Sequence, residues 1–166
     1  MYYDERNSIV LAGLHPIVAE KAREWLAELD SAGLEVLLNE GFRSLERQKA
    51  LYNQGRITPG PVVTNSKPGQ SYHNYGLAID FYPTNAKGKL IDVPRKTYAE
   101  VAKKLGFEWG GDWRTILDQP HLQYTFGLSI QDLLAGKRPP SESKVYLTDP
   151  KAAERRRARR AKRVGR

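Results

Sequence analysis

The sequence predicts a single α+β domain, in which helices pack against a small and mostly antiparallel sheet. Three observations lead to this prediction. The 166 residues suffice for one domain with a sizeable core. Apolar residues repeat with helical spacing early in the chain. Three short apolar segments of strand length follow at intervals, separated by residues that favour turns and loops.

The first predicted helix begins at Pro16, because proline suits the first turn of a helix. Gly33 ends this helix, and the apolar residues 34–38 that follow predict a buried strand. The core-facing stripe of the helix recurs at positions i, i+4, i+7 and i+11, and it comprises Val18, Ala22, Trp25 and Leu29.

A second helix is predicted from Ser44, a good N-cap residue, to Asn53, before the helix-stopping Gly55. Residues 56–70 are polar and rich in proline and glycine, so they predict a long loop. Residues 77–82 then predict a second strand.

The last third of the chain predicts two more helices and one strand. Residues 96–105 form a helix ended by Gly106, and residues 109–119 are expected to be irregular. Residues 121–124 predict a strand, and Ser129 is expected to cap a short helix over residues 130–135. The inward side chains of the 96–105 helix are predicted to be Tyr98, Val101, Ala102 and Leu105.

The charge distribution separates a domain from a tail. Pro139 and Pro140 begin the exit, so residues 1–140 are predicted to form the folded domain and residues 141–166 a disordered linker and basic tail. Residues 151–166 contain nine Lys or Arg and one Glu, which accounts for the entire net charge of +8. The other 150 residues carry 18 basic and 18 acidic groups, so they give no reason to expect a nucleic-acid partner.

Composition excludes several classes of protein. No apolar run approaches the length that spans a membrane, and no export signal is readable at the N-terminus. We therefore expect synthesis in the cytoplasm without a signal peptide.

The chain has no cysteine, which excludes disulfides and thiolate metal sites. Any bound metal must be held by histidine and carboxylate side chains.

Two short segments together contain the ligand set of a catalytic zinc ion. Residues 71–80 read SYHNYGLAID and supply His73 and Asp80, and His121 lies 41 residues after Asp80. Two imidazoles and one carboxylate are a typical catalytic set, which keeps a fourth position open for water. Gly76 permits a turn between the first two ligands. A lone loop histidine is usually a hydrogen-bonded surface residue, but this many typed positions rarely agree by chance.

Asp118 lies three residues before His121, where a general base is needed. Pro120 disfavours helix at the residue before it, which keeps this segment extended or turning. A carboxylate beside an activated water can accept its proton and pass it to a leaving amine. The alternative roles for Asp118 are a helix cap or a salt-bridge partner. His15, at a helix start, is expected to be structural.

The chain resembles the LAS metallopeptidases, zinc enzymes related to VanY-type D-Ala-D-Ala carboxypeptidases and to the hedgehog signalling domain. The resemblance covers about residues 4–135 and includes the SYHNYGLAID segment, residues 41–44 with Gln48, and the sequence WGGDW at residues 109–113. It implies zinc on His73, Asp80 and His121, with Asp118 as acid and base. The implied fold is that of the hedgehog and D-Ala-D-Ala-peptidase domain.

The same resemblance suggests further residues. Arg43 is implied to bind substrate or the developing oxyanion, against the alternative of a surface salt bridge. Gln48 either lines the cleft or faces solvent on its helix. Ser71 is a candidate for substrate binding. Asp112 either orients a metal ligand or is an ordinary loop carboxylate.

Within the family, the chain is most similar to the L-alanyl-D-glutamate endopeptidases, which include phage endolysins. The carboxypeptidase branch usually has Glu in place of Asp118 and tryptophan in place of Pro120. The resemblance therefore implies a peptidoglycan hydrolase that cuts between L-Ala and D-Glu of the stem peptide.

Three alternatives remain open from the sequence. They are a D-Ala-D-Ala carboxypeptidase of the same fold, a non-catalytic zinc protein that binds cell wall, and a nucleic-acid-binding protein that rests on the tail alone. We expect a monomer with peptidoglycan as partner, no specific nucleic acid and no membrane span. The tail is expected to be attracted to anionic envelope polymers, or else to act only as a solubilising segment. Without an export signal, the chain is expected to reach the cell wall by release from the cell.

Overall fold

Four antiparallel strands form the sheet on which the candidate site is built. In this computed structural model, which describes residues 1–141, the spatial order of the strands is β1-β2-β4-β3. The strands are β1 (Glu35–Glu40), β2 (Ala78–Thr84), β3 (Glu108–Trp109) and β4 (His121–Gln123). The predicted α+β class with a small antiparallel sheet is confirmed. The predicted basic tail lies outside the described residues.

Five helices accompany the sheet within residues 1–141. They are α1 (Asp4–Ala12), α2 (Pro16–Ser31), α3 (Leu45–Asn53), α4 (Lys96–Lys104) and α5 (Ile130–Leu134). Two short 3₁₀ helices, Tyr72–Tyr75 and Gly110–Asp112, lie beside the site. Helices α2 to α5 and strands β1, β2 and β4 match the predictions to within two residues at most ends. Neither α1 nor the two-residue β3 was predicted.

Helix α2 supplies the centre of the core, as its apolar stripe predicts. Trp25 is fully buried, its ring meets that of Phe81 edge to face at 5.3 Å, and its indole N–H donates to the carbonyl of Tyr98 at 3.0 Å. One side chain thus joins α2 to β2 and α4. On α4, the buried residues are Tyr98, Ala99 and Ala102. Val101 and Leu105, also predicted to face inward, are partly buried and pack against the same core.

Helix α1 covers the free edge of the sheet at β1. The fully buried Asn7 donates from Nδ2 to the carbonyl of Val36 at 3.0 Å and accepts at Oδ1 from the amide of Leu38 at 2.9 Å. Its amide group therefore takes the place of a neighbouring strand, which satisfies two backbone groups of the edge strand. A helix that turns a polar residue inward has no clean apolar stripe, which explains why periodicity did not reveal α1.

His15 has the structural role expected of it. It is the N-cap of α2, and its Nδ1 accepts from the amide of Ile17 at 3.3 Å.

Within residues 1–141, none of the helices combines the length and apolar character needed to cross a membrane.

Candidate active site

Two imidazoles and one carboxylate converge at the centre of the sheet. Each of His73, Asp80 and His121 offers a ligand atom, and these atoms all lie within 4.8 Å of one another. Oδ1 of Asp80 is 3.3 Å from Nε2 of His73 and 3.5 Å from Nδ1 of His121. Both imidazoles are buried. The three residues predicted as ligands are therefore brought together by the fold.

The strand register explains why two of the three meet. Asp80 on β2 lies directly opposite His121 on the antiparallel β4, so their side chains share one face of the sheet. His73 arrives from the Tyr72–Tyr75 3₁₀ helix, which is capped by the hydroxyl of Ser71. Gly76 ends that helix with φ of 68°, and a β-carbon there would lie 2.8 Å from the amide nitrogen of His15. Glycine is thus required at the turn into β2.

The hydrogen bonds of the two imidazoles leave different nitrogens free. Nδ1 of His73 lies 2.7 Å from the carbonyl of Gly41, which can only accept, so this nitrogen carries the proton and Nε2 is free. In His121 the pattern is reversed, because Nε2 lies 2.9 Å from Oε1 of Gln123 and Nδ1 faces Asp80. The two lone pairs that face Asp80 are those a metal ion needs.

The electrostatics keep Asp80 ionised. Burial alone would raise the pKa of Asp80, but its interactions with His121 and His73 hold it well below its usual range. Burial likewise opposes the charged form of His121, yet contact with Asp80 leaves its pKa raised. The site is therefore a half-buried anion facing two bases, which is favourable for a cation.

Asp118 places a second carboxylate at the edge of this group. Its Oδ2 lies 3.9 Å from Nδ1 of His121, and its side chain is 45% exposed, so water and substrate can reach it. The pKa of Asp118 is raised above its ordinary value, chiefly by burial, and the negative charge of Asp80 adds to this effect. The charges of His121, His73 and Arg43 act in the opposite direction. A β-carbon on Gly110 would overlap the backbone carbonyl of Asp118, so glycine permits this close approach.

Arg43 extends from the end of β1 toward the same centre. Its Nη2 lies 2.7 Å from Oε2 of Glu40 and 3.8 Å from Oδ2 of Asp80, and Nη1 donates to Oε1 of Gln48 at 3.1 Å. The side chain is only 11% exposed. Burial would raise the pKa of Glu40, but its hydrogen bonds from Arg43 and Arg47 lower it. The ion pair with Glu40 is thus largely shielded from solvent, and the implied role of Arg43 in binding substrate or the oxyanion stays a prediction.

The other candidate residues have varied surroundings. Gln48 is fully buried and donates to the carbonyl of Ser66 at 2.8 Å, so the alternative of a solvent-facing position is wrong. The hydroxyl of Ser71 accepts from the amide of His73 at 3.3 Å. Asp112 forms an ion pair with Lys103 at 2.8 Å, which ties the segment before Asp118 to α4. The predicted roles of these residues in substrate binding stay predictions.

Three side chains near the site were not predicted from the sequence. Glu40 binds Arg43, Gln123 binds His121, and the ring of Trp113 lies 5.3 Å from that of His121. The position of Gln123 carried a usable signal, because residues two apart on a strand share one face. Glu40 lies only three residues before Arg43, so its contact is local, but an acid three residues before an arginine is not by itself a sign of a site.

Comparison with protein families gives an independent result. Residues 64–124 match a peptidase family described as D-alanyl-D-alanine carboxypeptidase, and this range includes all three candidate ligands and Asp118. The chain is also 44% identical over 130 residues to the peptidoglycan L-alanyl-D-glutamate endopeptidase CwlK of Bacillus subtilis. That alignment covers 69% of this chain and 75% of the relative.

Two further similar proteins are also named as peptidases of the L-Ala–D-Glu bond. An L-alanyl-D-glutamate peptidase from a Listeria phage is 37% identical over 131 residues, which cover 75% of this chain and 43% of the phage protein. Among solved structures, the Serratia marcescens L-Ala D-Glu endopeptidase ChiX superposes with a TM-score of 0.55 at 28% identity. The superposition covers 73% of this chain and 87% of that structure.

Proposed function

Because the chain belongs to the M15 peptidases, the family of the VanY-type zinc enzymes and of the L-alanyl-D-glutamate endopeptidases, we propose that it hydrolyses peptidoglycan. The bond cleaved is that between L-Ala and D-Glu of the stem peptide, and the reaction depends on zinc. The observation that carries the proposal is the convergence of His73, Asp80 and His121 with the carboxylate of Asp118 beside them.

The donor set fits a zinc ion. Nε2 of His73, Nδ1 of His121 and a carboxylate oxygen of Asp80 would hold it, and two nitrogens with one oxygen are a common catalytic set for this metal. When bound, zinc supplies Lewis-acid activation of the scissile carbonyl and of the attacking water. The hydrogen bond from His73 to Gly41 fixes the ring so that its free nitrogen faces the centre.

Asp118 moves the protons of the reaction. A carboxylate oxygen of Asp118 accepts a proton from the attacking water while the new C–O bond forms at the carbonyl carbon of L-Ala. The same carboxyl group then donates this proton to the amine nitrogen of D-Glu as the C–N bond breaks. The partial exposure of Asp118 suits this role, because it allows contact with both water and the peptide.

Arg43 stabilises the negative charge that develops on the carbonyl oxygen. Its guanidinium is held in place by Glu40 and Gln48 and lies beside Asp80, so it is oriented before the substrate arrives. A fixed donor in a site of low water content stabilises a developing oxyanion more than a mobile one does.

The remaining parts of the proposal concern the setting of the enzyme. Residues 1–140 form the catalytic domain, and a monomer suffices because all the proposed site residues come from one chain. The enzyme acts at the cell wall in the manner of an endolysin. Residues 151–166, with nine basic residues and one acidic residue, attract anionic envelope polymers.

Mass spectrometry of digested, purified peptidoglycan tests the proposal. We expect stem peptides with a new free amino group on D-Glu and glycan strands that end in L-Ala. The Asp118→Asn variant is the matched control for contaminating hydrolases. Release of terminal D-Ala alone would instead indicate a D-Ala-D-Ala carboxypeptidase, and absence of any cleavage would indicate a protein that only binds the wall.

A further inference from the structure

A hydrogen-bonded chain of two side chains lies behind His121, on the side away from Asp80. Nε2 of His121 lies 2.9 Å from Oε1 of Gln123, and Nε2 of Gln123 donates to Oε2 of Glu108 at 2.9 Å. The hydroxyl of Thr125 also donates to Glu108, at 3.3 Å. We propose that Gln123 and Glu108 are positioning residues that fix the proton of His121 on Nε2 and so keep Nδ1 free for the metal.

The sheet register builds this chain. Gln123 follows His121 by two positions on β4, so both side chains lie on the same face. Glu108 on β3 is directly opposite Gln123, just as Asp80 on β2 is directly opposite His121. The two-residue strand β3 therefore places the carboxylate of Glu108 beside the side-chain amide of Gln123.

The direction of each hydrogen bond follows from the chemistry of Glu108. An ionised carboxylate can only accept, so the NH₂ group of Gln123 must face Glu108 and its carbonyl oxygen must face His121. That oxygen also can only accept, so the proton of the imidazole resides on Nε2. A glutamine without this restraint could turn its NH₂ group toward the ring and select the opposite tautomer.

The opposite tautomer would impair metal binding. It would place a proton on Nδ1, where Oδ1 of Asp80 is 3.5 Å away and would accept it in a hydrogen bond. The lone pair needed for the metal would then be occupied. Loss of such a supporting contact typically lowers metal affinity about 10- to 100-fold. The inference rests on the proposed metal centre, but it concerns the side chains that hold a ligand ready rather than the bond that is cleaved.

Zinc affinity, measured by competition with a chromogenic chelator, provides the first test. We expect Gln123→Leu to bind zinc about 10- to 100-fold more weakly than the unaltered protein. The exchanged double variant Gln123→Glu/Glu108→Gln should regain most of the affinity. The carboxylate at position 123 still accepts from Nε2 of His121, and the bond between positions 123 and 108 is kept with its direction reversed. Gln131→Leu, an exposed glutamine on α5, is the matched control and should bind zinc normally. Unchanged affinity in Gln123→Leu would overturn the proposal.

The tautomer itself provides a second test that needs no metal and no substrate. ¹⁵N NMR of the histidine rings in metal-free protein, at a pH where His121 is neutral, should show His121 protonated at Nε2, with Nδ1–H signal growing in Glu108→Gln. Glu108 is exposed, so this variant is expected to fold even if Gln123→Leu does not. A wild-type His121 protonated at Nδ1 alone would contradict the proposal. If the protein cleaved no peptidoglycan but these results held, only the proposed function would fail.

Discussion

Two polar clusters in this domain differ in whether they leave atoms available to bind a ligand. At the β1 edge, the amide of Asn7 is hydrogen-bonded at both of its ends to backbone groups of Val36 and Leu38. At the centre of the sheet, His73 and His121 use one ring nitrogen each for hydrogen bonds and turn the other toward Asp80. The first cluster is complete within the protein, whereas the second presents three ligand atoms to a common point.

The difference shows which buried polar groups belong to the fold and which to the function. A polar side chain with all its hydrogen bonds made stabilises the native state, and removing it leaves its partners unsatisfied. Lone pairs that converge around a half-buried carboxylate contribute little to the fold until a cation joins them. We therefore expect changes in the Asn7 cluster to affect stability, and changes in the His73, Asp80 and His121 cluster to affect metal binding and hydrolysis.

The largest expected effect comes from removing a ligand. His73→Ala should abolish zinc binding at micromolar metal and with it the hydrolysis of peptidoglycan, because two ligands seldom hold catalytic zinc. The unaltered protein should melt at a higher temperature when zinc is added, since a ligand that binds only the native state stabilises it. That increase should vanish in His73→Ala.

His15→Ala is the matched control for this histidine change. It removes the N-cap of α2 at a cost of about 1 kcal/mol, but zinc should still raise the melting temperature. If a variant without His73 still bound one zinc tightly, the cluster of His73, Asp80 and His121 would not be the metal site.

Asp118→Asn should separate hydrolysis from metal binding. The amide cannot accept the proton of the attacking water, so we expect kcat on a purified muropeptide to fall about 10²- to 10⁴-fold. Zinc affinity should change little, since Asp118 lies beside the ligand group and outside it. The exposed Asp92, changed to Asn, serves as control. Near-normal turnover in Asp118→Asn would assign the base to another residue.

Asn7→Leu should weaken the fold and leave the metal site intact. It removes two hydrogen bonds and leaves the buried carbonyl of Val36 and amide of Leu38 unpaired, which predicts a loss of about 2–5 kcal/mol in the free energy of unfolding. Urea denaturation of metal-free protein measures this loss. Asn39→Leu, an exposed position on the same strand, should change stability by less than about 0.5 kcal/mol. Equal effects of the two changes would show that Asn7 does not support the β1 edge.

The smallest effect is expected from deleting residues 151–166. These residues carry all of the net charge, so their loss should weaken attachment to whole cells at low salt and matter less as ionic strength rises. Turnover of soluble muropeptides should be unchanged. A large loss of turnover on the soluble substrate would show that the tail contributes to the domain itself.

The sequence pointed to the residues of the candidate site more readily than to the side chains around them. His73, Asp80, His121 and Asp118 were identifiable because their residue types occur at fixed spacing within two short segments. Most helices and strands were identifiable because apolar periodicity and capping residues act locally, as at Ser44 and Ser129.

Three of the unpredicted features depend on contacts between distant segments. Strand β3 has only two residues, too few for any periodicity, and it exists because β4 lies beside it. Helix α1 turns Asn7 inward, which makes sense only once the edge of β1 is known. The pairing of Glu108 with Gln123 likewise depends on the register of two strands, which neither residue's neighbours reveal.

The most direct test of the central claim is a zinc titration of metal-free protein during hydrolysis of a defined muropeptide that contains the L-Ala–D-Glu bond. The convergence of His73, Asp80 and His121 predicts no hydrolysis without metal. Activity should then rise in proportion to added zinc and level off at one equivalent, with only L-Ala–D-Glu cleavage products. Full hydrolysis by verified metal-free protein would contradict the account.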